Sequence, residues 1–152
     1  METMAFAIPN PEEARKEARP VAQGAELLDI RAFLLHAEVL DVEASQEPKE
    51  IDSLGTTLGI GRDGRNLTYH FEHELIIKGA NGVNALRLQV HLGALFQFPD
   101  ESEPGGQVTE DSLVAFGQTT AQLAVHPYLR SAVADLTARL GCPQVTLGLL
   151  KS

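Results

Sequence analysis

The chain has no tryptophan, one cysteine and only 5% aromatic residues. Cys142 alone excludes an internal disulfide and an all-cysteine metal centre, and it fits a reducing compartment. No run approaches the ~20 consecutive apolar residues of a membrane helix, so direct membrane insertion is not expected. Met1 to Pro20 carries Glu12, Glu13, Arg15, Lys16 and Arg19 where a signal peptide needs an apolar core, which points to a cytoplasmic location. Basic residues are also scarce, 12 against 21 acidic ones, for a formal net charge of −9. Such a surface repels phosphate backbones, so no nucleic-acid ligand is expected; basic partners, or basic segments of unfolded chains, are favoured.

What is present suits one domain. A chain of 152 residues, 43% hydrophobic, has material for a real core, and that length buries roughly 68–70% of the surface its unfolded form exposes. Residues 1–24 read as a flexible N-terminal arm and 25–152 as the folded domain. Pro11 to Arg19 has the makings of a short helix, ended by Pro20 and Gly24. From Leu27 to Ala44 apolar residues are frequent, with Leu28, Ile30 and Leu34 at even positions and Leu35, Ala37 and Val39 at odd ones. A strand with a bulge near Phe33 to Leu35 accounts for that switch, although a helix competes with it. Residues 45–52 form a polar connection.

The middle of the chain alternates with period two. Leu54, Thr56, Leu58 and Ile60 lead to Asp63-Gly64; Leu67, Tyr69, Phe71, Leu75 and Ile77 lead to Asn81-Gly82; Leu86, Leu88, Val90, Leu92, Ala94, Phe96 and Phe98 follow. Both dipeptides favour two-residue hairpin loops. Loops there pair Ile60 with Leu67, Leu58 with Tyr69, Leu75 with Leu88 and Phe71 with Leu92. Every pair is apolar opposite apolar, so the segment reads as an antiparallel meander with one apolar and one polar face. After the break at Pro99 to Gly106, Thr109 reads as a helix N-cap with Glu110 and Asp111 in the first turn. Pro127 sits where a second helix would begin, with Leu129, Ala132, Val133, Leu136 and Leu140 as its buried stripe. Asp135 and Arg139 make an i,i+4 pair, Gly141 and Pro143 end the helix, and Gln144 to Leu150 reads as a short packed tail. The fold class is therefore α+β: a four-stranded antiparallel sheet (bulged first strand, crossover, three-strand meander) followed by two C-terminal helices.

Chemistry is harder to find. The expected register sets Glu72 opposite His91 on the polar face with His70 nearby. A cross-strand hydrogen-bonded pair is favoured over a site, because a metal centre needs three or four converging ligands. His73 falls at an apolar parity and reads as a satisfied, partly buried histidine; His36 and His126 have no partner that sequence identifies. There is no Gly-x-Ser-x-Gly elbow. Gly59 and Gly61 lie in a hairpin rather than between a strand and a helix, and Cys142 follows a helix rather than starting one. No enzyme activity, metal or cofactor is expected.

Val125-His126-Pro127-Tyr128-Leu129-Arg130, then Gly141-Cys142-Pro143-Gln144-Val145-Thr146-Leu147 after about ten residues of helix, resembles the C-terminal signature of the SecB family of protein-export chaperones. Val42-Glu43-Ala44, ending the first strand, and Gln89 to Phe96 in the last strand of the meander are similar too. The resemblance covers residues 27–150. It implies an ATP-independent holdase, a homotetramer built as a dimer of dimers, binding unfolded protein clients in apolar grooves. Phe33, Leu35, Phe98, Leu113 and Phe116 are the candidate groove residues. In that family an acidic outer face docks the translocase motor SecA. Asp41 and Glu43 keep that character, whereas Arg87, Gln89 and His91 depart from it, and His126 and Ser131 at the helices replace the family's usual Phe and Glu. The SecB-like branch that protects an antitoxin in toxin–antitoxin–chaperone systems resembles the chain better. The competing class is a small-ligand protein or enzyme with a pocket between sheet and helices.

Overall fold

Alternating apolar residues become long paired strands. In this computed structural model the described residues are 2–5, 11–99, 108–143 and 145. The strands are β1 (Glu2–Ala5), β2 (Glu26–Val39), β3 (Pro48–Asp63), β4 (Asn66–Gly79) and β5 (Asn84–Gln97). They form one antiparallel sheet in the order β1-β3-β4-β5-β2. The expected crossover and meander are therefore present, with a fifth strand added. Four residues of β1 pair with Thr57–Ile60 of β3, a segment too short to show a period in the sequence.

Along most of its length the second hairpin has the expected register, with Leu75 opposite Leu88, Phe71 opposite Leu92 and Glu72 opposite His91. The ladder shifts by one between Ile77 and Lys78, and the Gly79 N–H donates to Val83 O at 2.9 Å, so the loop is Ala80 to Gly82 rather than Asn81-Gly82 alone. The first is displaced by one pair. Asp63 faces Asn66, so the two-residue loop is Gly64-Arg65, and Ile60 faces Tyr69 while Leu58 faces Phe71. The cause is conformational. A loop on Asp63-Gly64 would need a positive φ at Asp63, whereas Gly64 alone takes one (φ 61°), as a loop with glycine at its first position allows. A displacement of two in the summed register keeps every parity, so the apolar face is unchanged; only partners change, and His73 meets Thr56 instead of Leu54. β3 also begins at Pro48, inside the expected polar connection. Shifts between Pro48 and Glu50 and between Ile51 and Ser53 break its alternation there, and proline is tolerated as a first strand residue.

β2 is bulged between Ala32 and Leu34, where the parity switch indicated, and again between Leu27 and Asp29. It stops at Val39. Residues Val42–Ser45 form a short helix, α2, in place of the expected strand end, because the Asp41 carboxylate caps it by accepting from the Ala44 N–H at 2.8 Å.

Pro11–Ala22 is helical (α1) and buries Ala14, Ala18 and Val21, so part of the segment read as an arm packs as a helix, against the first C-terminal helix. That helix, α3 (Glu110–Phe116), starts at Thr109 with a capping box closed by Ser112. It runs through a π-helical turn, Gly117–Ala121, into α4 (Gln122–Arg139). The second helix thus begins five residues before the expected start. Pro127 lies inside it, exposed, one turn after the equally exposed Leu123, whose carbonyl loses an N–H partner that water can replace. Gly141 (φ 76°) ends α4. Its N–H donates to Ala138 O at 3.0 Å and the next, from Cys142, to Thr137 O at 3.1 Å, which is the paired closure of a Schellman motif. The tail expected from Gln144 to Leu150 lies outside the described residues except for Val145, which packs on the core.

One core lies between the helices and the inner sheet face. Leu67, Tyr69, Phe71, Leu75 and Ile77 of β4 and Leu86, Leu88, Val90, Leu92 and Phe96 of β5 meet Phe116, Val125, Leu129 and Val133. Gly117 lets the helix approach closely: a Cβ there would sit 2.7 Å from Tyr69 Cε1 and 2.8 Å from Leu58 Cδ2.

Candidate functional site

Strand β2 differs from the others. β4 and β5 alternate between buried and less buried residues, whereas β2 is exposed or half-exposed along its whole length. It lies at the edge of the sheet, and most of the exposed large apolar side chains among the described residues fall between Leu27 and Val42. They point both ways. Leu27, Leu35 and Val39 stand opposite inner-face residues of β5, and Leu34 opposite outer-face His91. The adjacent pairs Leu27-Leu28, Leu34-Leu35 and Val39-Leu40 carried this signal in the sequence, since a strand apolar on both faces is built to be covered on both.

The five expected groove residues do not converge. Phe33 and Leu35 are 55% and 51% exposed. They lie on opposite faces, because the bulge turns Phe33 outward over Gly93, where any Cβ would overlap its ring. Phe98 and Phe116 are closed into the core at 1% exposure each. Phe116 is pinned by Phe96 (ring centroids 4.9 Å apart) and Tyr69 (5.6 Å). Leu113 is half-buried, and its carbonyl accepts the Tyr69 hydroxyl at 2.6 Å. Burial raises the Tyr69 pKa far above its ordinary value, so that hydroxyl stays a donor. Of the two acidic residues expected to dock a partner, Asp41 is engaged in the α2 cap, while Glu43 is exposed.

The polar face of the sheet carries a histidine cluster. His70 and Glu72 on β4 and His91 on β5 bring their ligating atoms within 4.8 Å of one another. Phe33 stacks on His70 (5.2 Å between centroids), and Thr57 Oγ1 donates to Glu72 Oε2 at 3.3 Å. A groove of about 670 Å³ opens alongside, lined by Thr57, Glu72, Glu74, Gln89 and His91 among others. On the other face His73 is buried. Its Nδ1 bonds Thr56 Oγ1 at 3.0 Å while its Nε2 has no partner among the described residues. Burial, with smaller contributions from the charges of His126 and His91, lowers its pKa to about 4, so it stays neutral around pH 7.

The Mycobacterium tuberculosis SecB-like chaperone Rv1957, solved in complex with a ChAD peptide from the Rv1956 HigA1 antitoxin, superposes with a TM-score of 0.77 over 95% of this chain and 100% of that one, at 24% identity. The fold is SecB-like. Sequence similarity agrees over a shorter span: 42 residues are 48% identical to SecB-like chaperone Rv1957 of strain H37Rv and to SecB-like chaperone MT2006 of strain CDC 1551. That stretch is 28% of this chain and 23% of either relative. No family model matches the chain. In this SecB-like frame the bulged strand is an edge with two apolar faces, and the meander and C-terminal helices supply the platform behind it. No helix among the described residues is long and apolar enough to cross a membrane.

Proposed function

We propose that the chain is a chaperone of the SecB-like, antitoxin-protecting kind, which holds an unfolded client segment without ATP. The observation that carries this is β2: an edge strand of 14 residues with exposed leucines, valine and phenylalanine on both faces. An edge of this kind offers unpaired backbone groups together with apolar side chains, so it pairs readily with an extended chain. It is also a liability unless an oligomer or a client covers it. The homotetramer expected from the family would cover part of it, leaving the remainder as groove. A net charge of −9 favours basic client segments.

A dedicated client is favoured over general export through SecA. Asp41 is used in capping α2, and the outer face offers Arg87, His70 and His91 in place of a continuous acidic patch. The chain works in the cytoplasm as a binding protein rather than a catalyst. A ligand pocket between sheet and helices is disfavoured, because Tyr69, Phe71, Phe96 and Phe116 fill that interface. The test is light scattering from an aggregating client diluted from denaturant, with and without the purified chain and with no nucleotide. Suppression near stoichiometric amounts supports the reading. A lack of suppression for an antitoxin client as well as for general clients refutes it.

A further inference from the structure

We propose that the outer face of the sheet holds one divalent transition-metal ion of the zinc class, ligated by His70, Glu72 and His91. The three residues are set by strand geometry. His70 and Glu72 are two apart on β4 and share a face, and His91 stands directly opposite Glu72 on β5. Their ligating atoms lie within 4.8 Å of one another, and His70 Nε2 is 4.0 Å from Glu72 Oε1. Bonds of ~2.05 Å at a tetrahedral angle place ligand atoms about 3.3 Å apart, so small side-chain rotations close the set. Two imidazoles, one carboxylate and a fourth position left to water make a donor set suited to zinc.

The surroundings orient the ligands before any ion arrives. Phe33 stacks on the His70 ring with an interplanar angle of 25°, and Gly93 leaves the room for it to do so. Thr57 holds Glu72 Oε2 and leaves Oε1 turned toward His70, an outer-shell arrangement that fixes a ligating carboxylate. The nearby cation Arg87 is drawn off by Glu74 (3.2 Å) and Glu38 (3.7 Å), and the acidic chain as a whole attracts cations. The ion would tie β4 to β5 and fix the ring on which Phe33 rests.

The experiment is calorimetric titration of zinc chloride into the untagged 152-residue chain after treatment with a chelator. One ion per chain is expected. His91→Ala and Glu72→Gln should each weaken binding at least tenfold, while His36→Ala, an exposed histidine near Glu38, leaves it unchanged. Cobalt(II) should give the intense visible absorption of a four-coordinate site, lost in His91→Ala. All three side chains reach solvent, so unchanged thermal transitions of the variants would verify their folding. Absence of a one-to-one titration, or equal affinity in wild type, His91→Ala and Glu72→Gln, would overturn the proposal.

Discussion

Phe116→Ala and Phe33→Ala should separate core from surface among the residues that the sequence grouped together. The Phe116 ring is 1% exposed and contacts Tyr69 and Phe96. Truncating a buried phenylalanine costs about 3–5 kcal/mol through lost burial and the cavity left behind. Small domains have only about 5–15 kcal/mol of stability in total, so this is a large fraction. At roughly 2–4 °C per kcal/mol for a chain of this size, the thermal midpoint should fall by about 6–20 °C. Phe33 is 55% exposed and rests on His70 and beneath Arg31 (5.8 Å). Its removal should cost the protomer no more than about 1 kcal/mol, yet it should reduce client capture. The assay is urea denaturation of both variants, followed by aggregation suppression at a temperature where both are folded. The reasoning fails if Phe116→Ala unfolds like wild type, or if Phe33→Ala captures client normally. A loss of stability in Phe33→Ala that vanishes on dilution would instead place the ring in an interface between copies.

Gly117→Ala sets two effects against each other. Helix propensity favours alanine by about 1 kcal/mol, but the new methyl would stand 2.7–2.8 Å from Tyr69 and Leu58, and overpacking of that kind costs about 1–3 kcal/mol. Destabilisation is expected in denaturant unfolding; a stabilised variant would mean that α3 and the π-helical turn are free to lift off the sheet. His73 predicts an acid-sensitive fold. Its folded pKa of about 4 lies below the unfolded value of 6.5, so the unfolded state binds the proton more readily. The stabilisation is fully present above about pH 6.5 and drains away as pH falls toward 4, by up to about 3 kcal/mol. Unfolding free energies measured from pH 7 to pH 4 should show a steeper loss in wild type than in His73→Leu, and identical slopes would refute the assignment.

The meander was legible because a period of two is a local property. Once Leu67 to Ile77 and Leu86 to Phe98 alternate, only one face can be apolar, and a register displaced by a whole pair at Gly64-Arg65 leaves that face intact. The N-cap at Thr109, the helix end at Gly141 and the bulge near Phe33 were legible for the same reason, since each depends on a few neighbouring side chains. The short β1 and the early start of α4 were not. The first has no room for a pattern, and the second depends on a π-helical turn that local propensity does not encode.

The candidate site divides along the same line. Sequence determined that β2 is apolar at both parities and that Glu72 faces His91. Only the tertiary structure decided that β2 stands at an open edge, that Phe98 and Phe116 are sealed beneath the helices while Phe33 and Leu35 face outward on opposite sides, and that the ligating atoms of His70, Glu72 and His91 converge to within 4.8 Å. The physical reason is that period and propensity fix which way a side chain points relative to its own strand. Whether it meets another element or water depends on which strands and helices the chain brings beside it from far along the sequence.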